Sequence, residues 1–159
     1  MNVKDIMARD VSSCSAAASA ESVALAMWDH DCGCIPVCDA CGRPTGIITD
    51  RDIAVTAALQ HRPLCHIQAR AIVGDRRLVV CREGDGVAAA LDAMRRHRVR
   101  RLPVVDSDGR LSGMLSLGDV FAVASAGPGD EPAVDAIFEV MRAVSSHHAG
   151  ARRFPLDVT

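Results

Sequence analysis

The sequence predicts an α+β fold of two β-α-β-β-α units packed as a pseudo-twofold pair, plus a C-terminal helix. Two observations carry this. The chain falls onto itself without a gap at an offset of 67: Ile35-Pro36-Val37 on Leu102-Pro103-Val104, Asp39 on Asp106, Gly42-Arg43 on Gly109-Arg110, Gly46 on Gly113. Thr49 lands on Ser116, Asp52 on Asp119, and upstream Cys14, Met27 and His30 land on Cys81, Met94 and His97. Self-similarity at one fixed period marks a duplicated unit. Secondly, both copies run through the same order of local patterns. A unit of about sixty residues buries little surface alone, so the copies should pack on each other. The expected division is 1–60, 61–126 and 127–159.

Each element has a local reason. Val11 to Cys14 and Leu78 to Cys81 are short β-type runs. Helical stretches follow at Ser22 to Met27 and at Val87 to Arg96; in the second, Val87, Leu91 and Met94 share a face with Arg95-Arg96 opposite. Cys34 to Cys38 and Arg101 to Val105 read as strands with a proline near the start, which suggests an edge, a bulge or a strand beginning. The turns Asp39 to Arg43 and Asp106 to Arg110 carry glycine at the hairpin position. Return strands run Thr45 to Thr49 and Ser112 to Ser116, and second helices start near Asp50 and Leu117. Gln60 to His66 reads as a linker, with a short helix over Ile67 to Val73 leading into the second copy. The cluster Ala126-Gly127-Pro128-Gly129 breaks the chain, and Asp130 can cap a last helix with Pro132 in its first turn. Its apolar stripe is read as Val134, Ile137, Phe138, Met141 and Val144, packed on the core or across a dimer; Ala149 to Thr159 reads as a tail.

Composition limits the function classes. The chain has 159 residues, 49% hydrophobic and 24% charged, which is globular composition. Its 18 basic and 20 acidic residues give a net charge of −2, and its aromatics are Trp28, Phe121, Phe138 and Phe154 alone. Neither a basic field nor a stacking platform points to nucleic acid. No apolar leader follows Met1 to Asp5, and no run of apolar residues is long enough to span a bilayer. A cytoplasmic protein with no membrane partner is expected. Seven cysteines, an odd number, argue against a disulfide framework.

The duplicated unit, the hydrophobic-Pro-Val strand, the run Gly46-Ile47-Ile48-Thr49-Asp50-Arg51-Asp52-Ile53-Ala54 and its counterpart Gly113 to Val120 together resemble a tandem cystathionine-β-synthase (CBS) domain pair. Val3-Lys4-Asp5-Ile6-Met7 looks like the usual entry to such a pair, and the chain is similar to small stand-alone bacterial members, hypoxic-response proteins among them. Before the second copy the entry departs from that pattern, reading Ala69-Arg70-Ala71-Ile72-Val73-Gly74-Asp75. Unattached pairs of this family stack into flat discs, which implies a homodimer.

A hydroxyl ending a strand and a carboxylate in the next helix's first turn lie close together, beside free amides and a positive helix end that suit phosphate. A carboxylate can accept the hydrogen bonds of a ribose diol. Thr49 with Asp52 and Ser116 with Asp119 meet this description; the bland reading is two helix caps with first-turn acids. The resemblance implies a nucleotide site at this motif, with the base against strand residues of the same unit. By position these are Val11, Ser12, Cys32 and Ile47 in copy one, and Leu78, Val79, Val99 and Met114 in copy two. Arg101 stands where the family often has a phosphate partner, and Cys34 is its copy-one equivalent. AMP, ADP, ATP or S-adenosylmethionine are the implied ligands, with no cofactor required.

Other signals have two readings. Arg95, Arg96, Arg98, Arg100 and Arg101 form a basic run that is either a solvated helix end or a polyphosphate-facing surface. Cys32, Cys34, Cys38 and Cys41 could supply zinc, Cys38-x-x-Cys41 having ligand spacing, or could be core residues plus one turn thiol. In the resembled fold Cys14 and Cys38 lie on neighbouring strands, where oxidation could join them. His147-His148 reads as tail. No Ser-His-Asp or Cys-His-Asp set is legible, so the expectation is a regulatory binding module and not an enzyme, acting on a regulated protein. The rivals are a thiol-based redox or metal-responsive protein on the same fold, and an interaction module built on the helix at 132–145.

Overall fold

The computed structural model describes residues 1–124 and 134–146. The expectations for Ala126 to Pro132, for His147-His148 and for the tail from Ala149 lie outside the described residues. The first unit is β1 (Cys14–Ser15), α1 (Ala20–Asp29), β2 (Cys34–Cys38), β3 (Pro44–Thr49) and α2 (Asp50–Gln60). A 3-10 turn, Leu64–His66, and α3 (Ala69–Val73) lead to β4 (Cys81–Arg82), α4 (Val87–His97), β5 (Arg101–Val105), β6 (Leu111–Ser116) and α5 (Leu117–Ala124). The last described element is α6 (Val134–Ser145). No described helix is long and apolar enough to cross a membrane.

Each unit forms a three-stranded sheet, ordered β1-β2-β3 and β4-β5-β6, with the first pair parallel and the second antiparallel. Parallel neighbours need a crossover, which α1 and α4 supply. The turns are alike atom for atom. Asp39 Oδ1 accepts the amides of Cys41 and Arg43, and Asp106 Oδ1 those of Asp108 and Arg110. Gly42 and Gly109 hold φ of 77° and 78°, a conformation that costs other residues a Cβ clash. The turns also meet each other: Leu111 N–H donates to Gly42 O at 2.9 Å and Arg43 Nε to Asp108 O at 3.2 Å.

Pro36 and Pro103 sit near the starts of the middle strands and beside a register shift, so of the three readings the bulge and the strand beginning hold and the edge does not. Proline is tolerated there because β1 and β4 pair only with Val37-Cys38 and Val104-Val105, past the proline, where the β2/β3 and β5/β6 registers also shift. The runs Val11 to Ser13 and Leu78 to Val80 carry no ladder of their own. Helix α1 starts two residues earlier than its apolar spacing suggests, because the Ser19 side chain caps it at the Ser22 amide, 3.1 Å away.

The segments leading into the units change places. Val3 and Met7 are buried with Val87, Leu91, Met94, Leu102 and Leu115 of copy two. Ile67, Ala69, Ile72 and Val73 are buried with Val23, Ile35, Val37 and Ile48 of copy one. Each crossing segment lies on a glycine of the return strand. A Cβ on Gly46 would stand 2.4 Å from Val73 Cγ1, and one on Gly113 would stand 2.6 Å from Ala8 O. Ala8 and Met114 exchange both backbone hydrogen bonds at 2.9 Å.

Helix α6 packs on copy two, but through a different stripe from the one expected. Ile137 and Val140 are buried and Val144 is partly so, while Val134, Phe138 and Met141 are 50%, 62% and 49% exposed. The helix carries two adjacent apolar stripes, and the copy-two core takes the 137/140/144 one. Ile137→Ala should cost about 2–5 kcal/mol in chemical unfolding, whereas Phe138→Ala should stay within about 0.5 kcal/mol. Equal effects would mean that α6 is not seated this way.

The crossing itself is tested at the glycines. Gly113→Ala meets a backbone oxygen and should lose about 1–3 kcal/mol. Gly46→Ala meets a side chain, so Val73→Ala in the same chain should return part of its loss. An additive double variant would show that Gly46 and Val73 are not in contact.

Candidate functional site

The two Thr/Ser-x-x-Asp motifs fold identically at their cores. Thr49 Oγ1 donates to Asp52 Oδ2 at 2.7 Å, Thr49 N–H donates to the same oxygen at 2.9 Å, and Thr49 Oγ1 accepts the Asp52 amide at 3.2 Å. In copy two the same three bonds join Ser116 and Asp119 at 2.7, 2.7 and 3.2 Å. This is reciprocal capping of α2 and α5. It engages one carboxylate oxygen and leaves the other to a further partner.

That second oxygen separates the copies. Asp52 Oδ1 accepts Arg76 Nη1 at 2.8 Å. Asp119 Oδ1 makes no protein hydrogen bond among the described residues, and Asp119 lines a cleft of about 390 Å³, within the size range of small-molecule sites. Partial burial pushes the Asp52 carboxyl upward, but the bonds from Thr49 and Arg76 and the Arg76 charge outweigh it and hold the group below its ordinary value.

The cleft is lined by Met114, Ser116, Asp119 and Arg101 of copy two, and by Val11, Ser12, His30, Asp31, Cys32, Gly33 and Cys34 of copy one, with Ala8 and Asp10 of the crossing segment. Eight of the residues singled out in sequence therefore meet here: Val11, Ser12, Cys32, Cys34, Arg101, Met114, Ser116 and Asp119. The expected grouping by unit is corrected, because Val11, Ser12 and Cys32 face the copy-two motif and not Thr49 and Asp52. The crossing brings Val11 and Ser12 there, since Ala8 is bonded to Met114 and the chain runs from it directly into Val11, while Cys32 comes from the loop between α1 and β2. The others lie elsewhere. Ile47 pairs with Pro36 in the first sheet, Val79 and Val99 pack on the copy-two core, and Leu78 is half-buried. Ala8, Asp10, His30 and Asp31 join the cleft with no motif to mark them.

The cleft lining holds three carboxylates, Asp10, Asp31 and Asp119, against the guanidinium of Arg101. Arg101 makes no ion pair among the described residues, and its Nη2 lies 3.9 Å from the Cβ position of Gly33. Burial raises the neighbouring Cys34 thiol, Arg101 opposes that, and Cys32 and Asp50 add to it. The rest of the basic run is divided. Arg95 and Arg96 pair with Asp92, whereas Arg98 and Arg100 are exposed and unpaired among the described residues. Shifted by the repeat offset, Asp10, Asp31 and Gly33 become Arg77, Arg98 and Arg100. Asp31 and Arg98 even share a left-handed backbone, φ 46° and 54°.

The cysteines do not gather. Cys34 and Cys38 are buried in β2, Cys32 is half-buried with its thiol 3.4 Å from Cys34 O, and Cys41 is exposed in the turn. Among the described residues no three His, Cys, Asp or Glu side chains are disposed to hold a metal ion. All seven thiols are free; burial, and then the proximity of Cys38, lift Cys14 to about 11, and burial lifts Cys81 to about 12.

A family model for the CBS domain matches residues 3–57 and 70–126. The CBS domain-containing protein YhcV of Bacillus subtilis is 32% identical over 123 residues, covering 75% of this chain and 82% of its own. Protein MK0525 of Methanopyrus kandleri is 29% identical over 123 residues, 77% of this chain, and this chain spans 62% of its length. Among solved structures, hypoxic response protein I with two coordinated zinc ions superposes with a TM-score of 0.71 at 26% identity over 80% of this chain and all of its own. The CBS pair of protein MJ0100, bound to 5-methylthioadenosine and S-adenosylmethionine, gives 0.68 at 25% identity over 77% and 94%. Protein PAE2072 of Pyrobaculum aerophilum, bound to AMP, gives 0.67 at 26% over 76% and 90%.

The Asp52–Arg76 pair has a pH signature. A carboxyl held low in the folded state contributes stability that is complete above its unfolded value, near 3.8, and that disappears as pH falls through the depressed one. Asp52→Asn should therefore melt below the parent at pH 7, with the gap closing as the pH is taken below 4. A gap that is constant down to pH 2 would remove the ion pair from the stability of this region.

Proposed function

The chain belongs to the CBS domain family, and we propose that it is a regulatory ligand-sensing module that holds an adenosyl ligand in the cleft between its repeats. The observation that carries this is the unengaged oxygen of Asp119, a residue held still by Ser116 and lining a cleft of ligand size. A ribose diol can donate both its hydroxyls to that oxygen. The N-terminus of α5 and Arg101 offer amides and a cation to a phosphate, while Val11, Met114 and Cys32 supply apolar contact for the base. Three carboxylates around one guanidinium disfavour added negative charge. Within the adenosyl class this favours AMP or the cationic S-adenosylmethionine over ADP and ATP. Further support comes from the similar structures that carry AMP, methylthioadenosine and S-adenosylmethionine.

Occupancy would bridge copy-one and copy-two residues, so a bound ligand stabilises one arrangement of the repeats over others and passes that preference to a regulated protein. The module acts as a cytoplasmic homodimer. Pairing is favoured by the exposed apolar side chains Leu25, Trp28, Val55 and Leu59 on α1 and α2.

Thermal unfolding with AMP, S-adenosylmethionine and ATP tests the reading. AMP or S-adenosylmethionine at a hundred times its dissociation constant should add about 2.7 kcal/mol, with ATP giving less at equal concentration. Asp119→Ala should fold and lose this gain, and Asp52→Ala should keep it. Equal stabilisation of Asp119→Ala and the parent would remove Asp119 from the site.

A further inference from the structure

We propose that Arg76 closes the copy-one motif to ligand, so that each chain takes one adenosyl ligand, at Asp119. This rests on the function proposed above and fixes its stoichiometry and the residue that sets it.

Arg76 is held from three sides. Its Nη1 donates to Asp52 Oδ1 at 2.8 Å, its Nη2 to Ile72 O at 2.8 Å and its Nε to Val73 O at 3.2 Å. The two carbonyls belong to the last turn of α3, whose oxygens have no helical partner and draw positive charge. The guanidinium therefore occupies the Asp52 oxygen whose Asp119 equivalent is open, and a ribose diol could not bond there without displacing it.

The repeat supplies an internal control. Shifted by the repeat offset, Arg76 falls on Arg9, so both lead-ins carry an arginine at this point. Arg9 does not reach Asp119; its Nη2 donates to Lys4 O at 2.8 Å. The backbone before each arginine explains the difference. Ala8 runs extended and bonds to Met114, which carries Arg9 past the motif. The equivalent path in copy one is diverted at Gly74, with φ 56° and ψ −145°, where the first lead-in has Met7. Glycine enters that region without a Cβ clash, and the turn folds Arg76 back over the end of α3 onto Asp52.

Titration calorimetry with AMP on the full chain decides the matter. The parent should bind one AMP per chain, and Asp119→Ala none. Arg76→Gln should bind two, returning to one when combined with Asp52→Ala, while Arg76→Lys, which keeps the charge, should bind one. A purely structural role for Arg76 would lower the melting temperature of Arg76→Gln and leave its stoichiometry at one, overturning the proposal while the ligand reading stands. Two AMP per parent chain would do the same. Should Arg76→Gln fail to fold, Asp52→Ala decides alone: one AMP per chain supports closure, and a reduced number overturns it. Absence of AMP and S-adenosylmethionine binding in both parent and Arg76→Gln would overturn the ligand reading and this inference together.

Discussion

The structure depends on the close approach of each lead-in segment to a glycine on the opposite unit's return strand. At Gly46 and Gly113 a methyl group would stand 2.4 and 2.6 Å from its neighbours, so these contacts tolerate no side chain. Everything that joins the two units follows. Val3 and Met7 complete one core, Ile72 and Val73 complete the other, and neither unit has a closed core of its own. The hairpin turns then meet at Gly42 and Leu111.

The same crossing builds the cleft. Because Ala8 is bonded to Met114, the residues after it, Asp10 to Ser12, are delivered beside Ser116 and Asp119. Residues of both units line the cleft, so under the proposed function a ligand there would touch both units at once and its occupancy would bear on their packing. A site confined to one unit would have no such leverage, since a ligand shifts an equilibrium only through differential contacts with its states.

Helix capping and ligand recognition are not competing accounts of the Thr/Ser-x-x-Asp motif. The cap consumes the hydroxyl and one carboxylate oxygen, and in doing so orients the other. What distinguishes the copies is the partner of that remaining oxygen: Arg76 at Asp52, the cleft at Asp119. The copy-one cysteines have a plainer explanation. Cys34 and Cys38 are buried in β2, where copy two has the partly buried Arg101 and the buried Val105, and Cys41 is an exposed turn residue.

The sequence by itself determined what local physics controls. The offset between copies, strands β2 and β5 to the residue, both Asx-braced turns and both capped helices follow from side-chain spacing, glycine and hydroxyl-acid pairs within a few residues of each other. Only the tertiary structure decided which surface each segment buries against. The repeat makes the two units near-equivalent partners, so an apolar pattern in Val3 to Met7 or Ile67 to Val73 fits either one. That choice placed Val11 and Ser12 beside the copy-two motif and put Arg76 on Asp52. Helix α6 shows the same limit on a smaller scale: it offers two apolar stripes, and only the copy-two core settles on Ile137 and Val140 and leaves Phe138 in water. Periodicity identifies the faces of an element; the partner surface, which lies far away in sequence, selects between them.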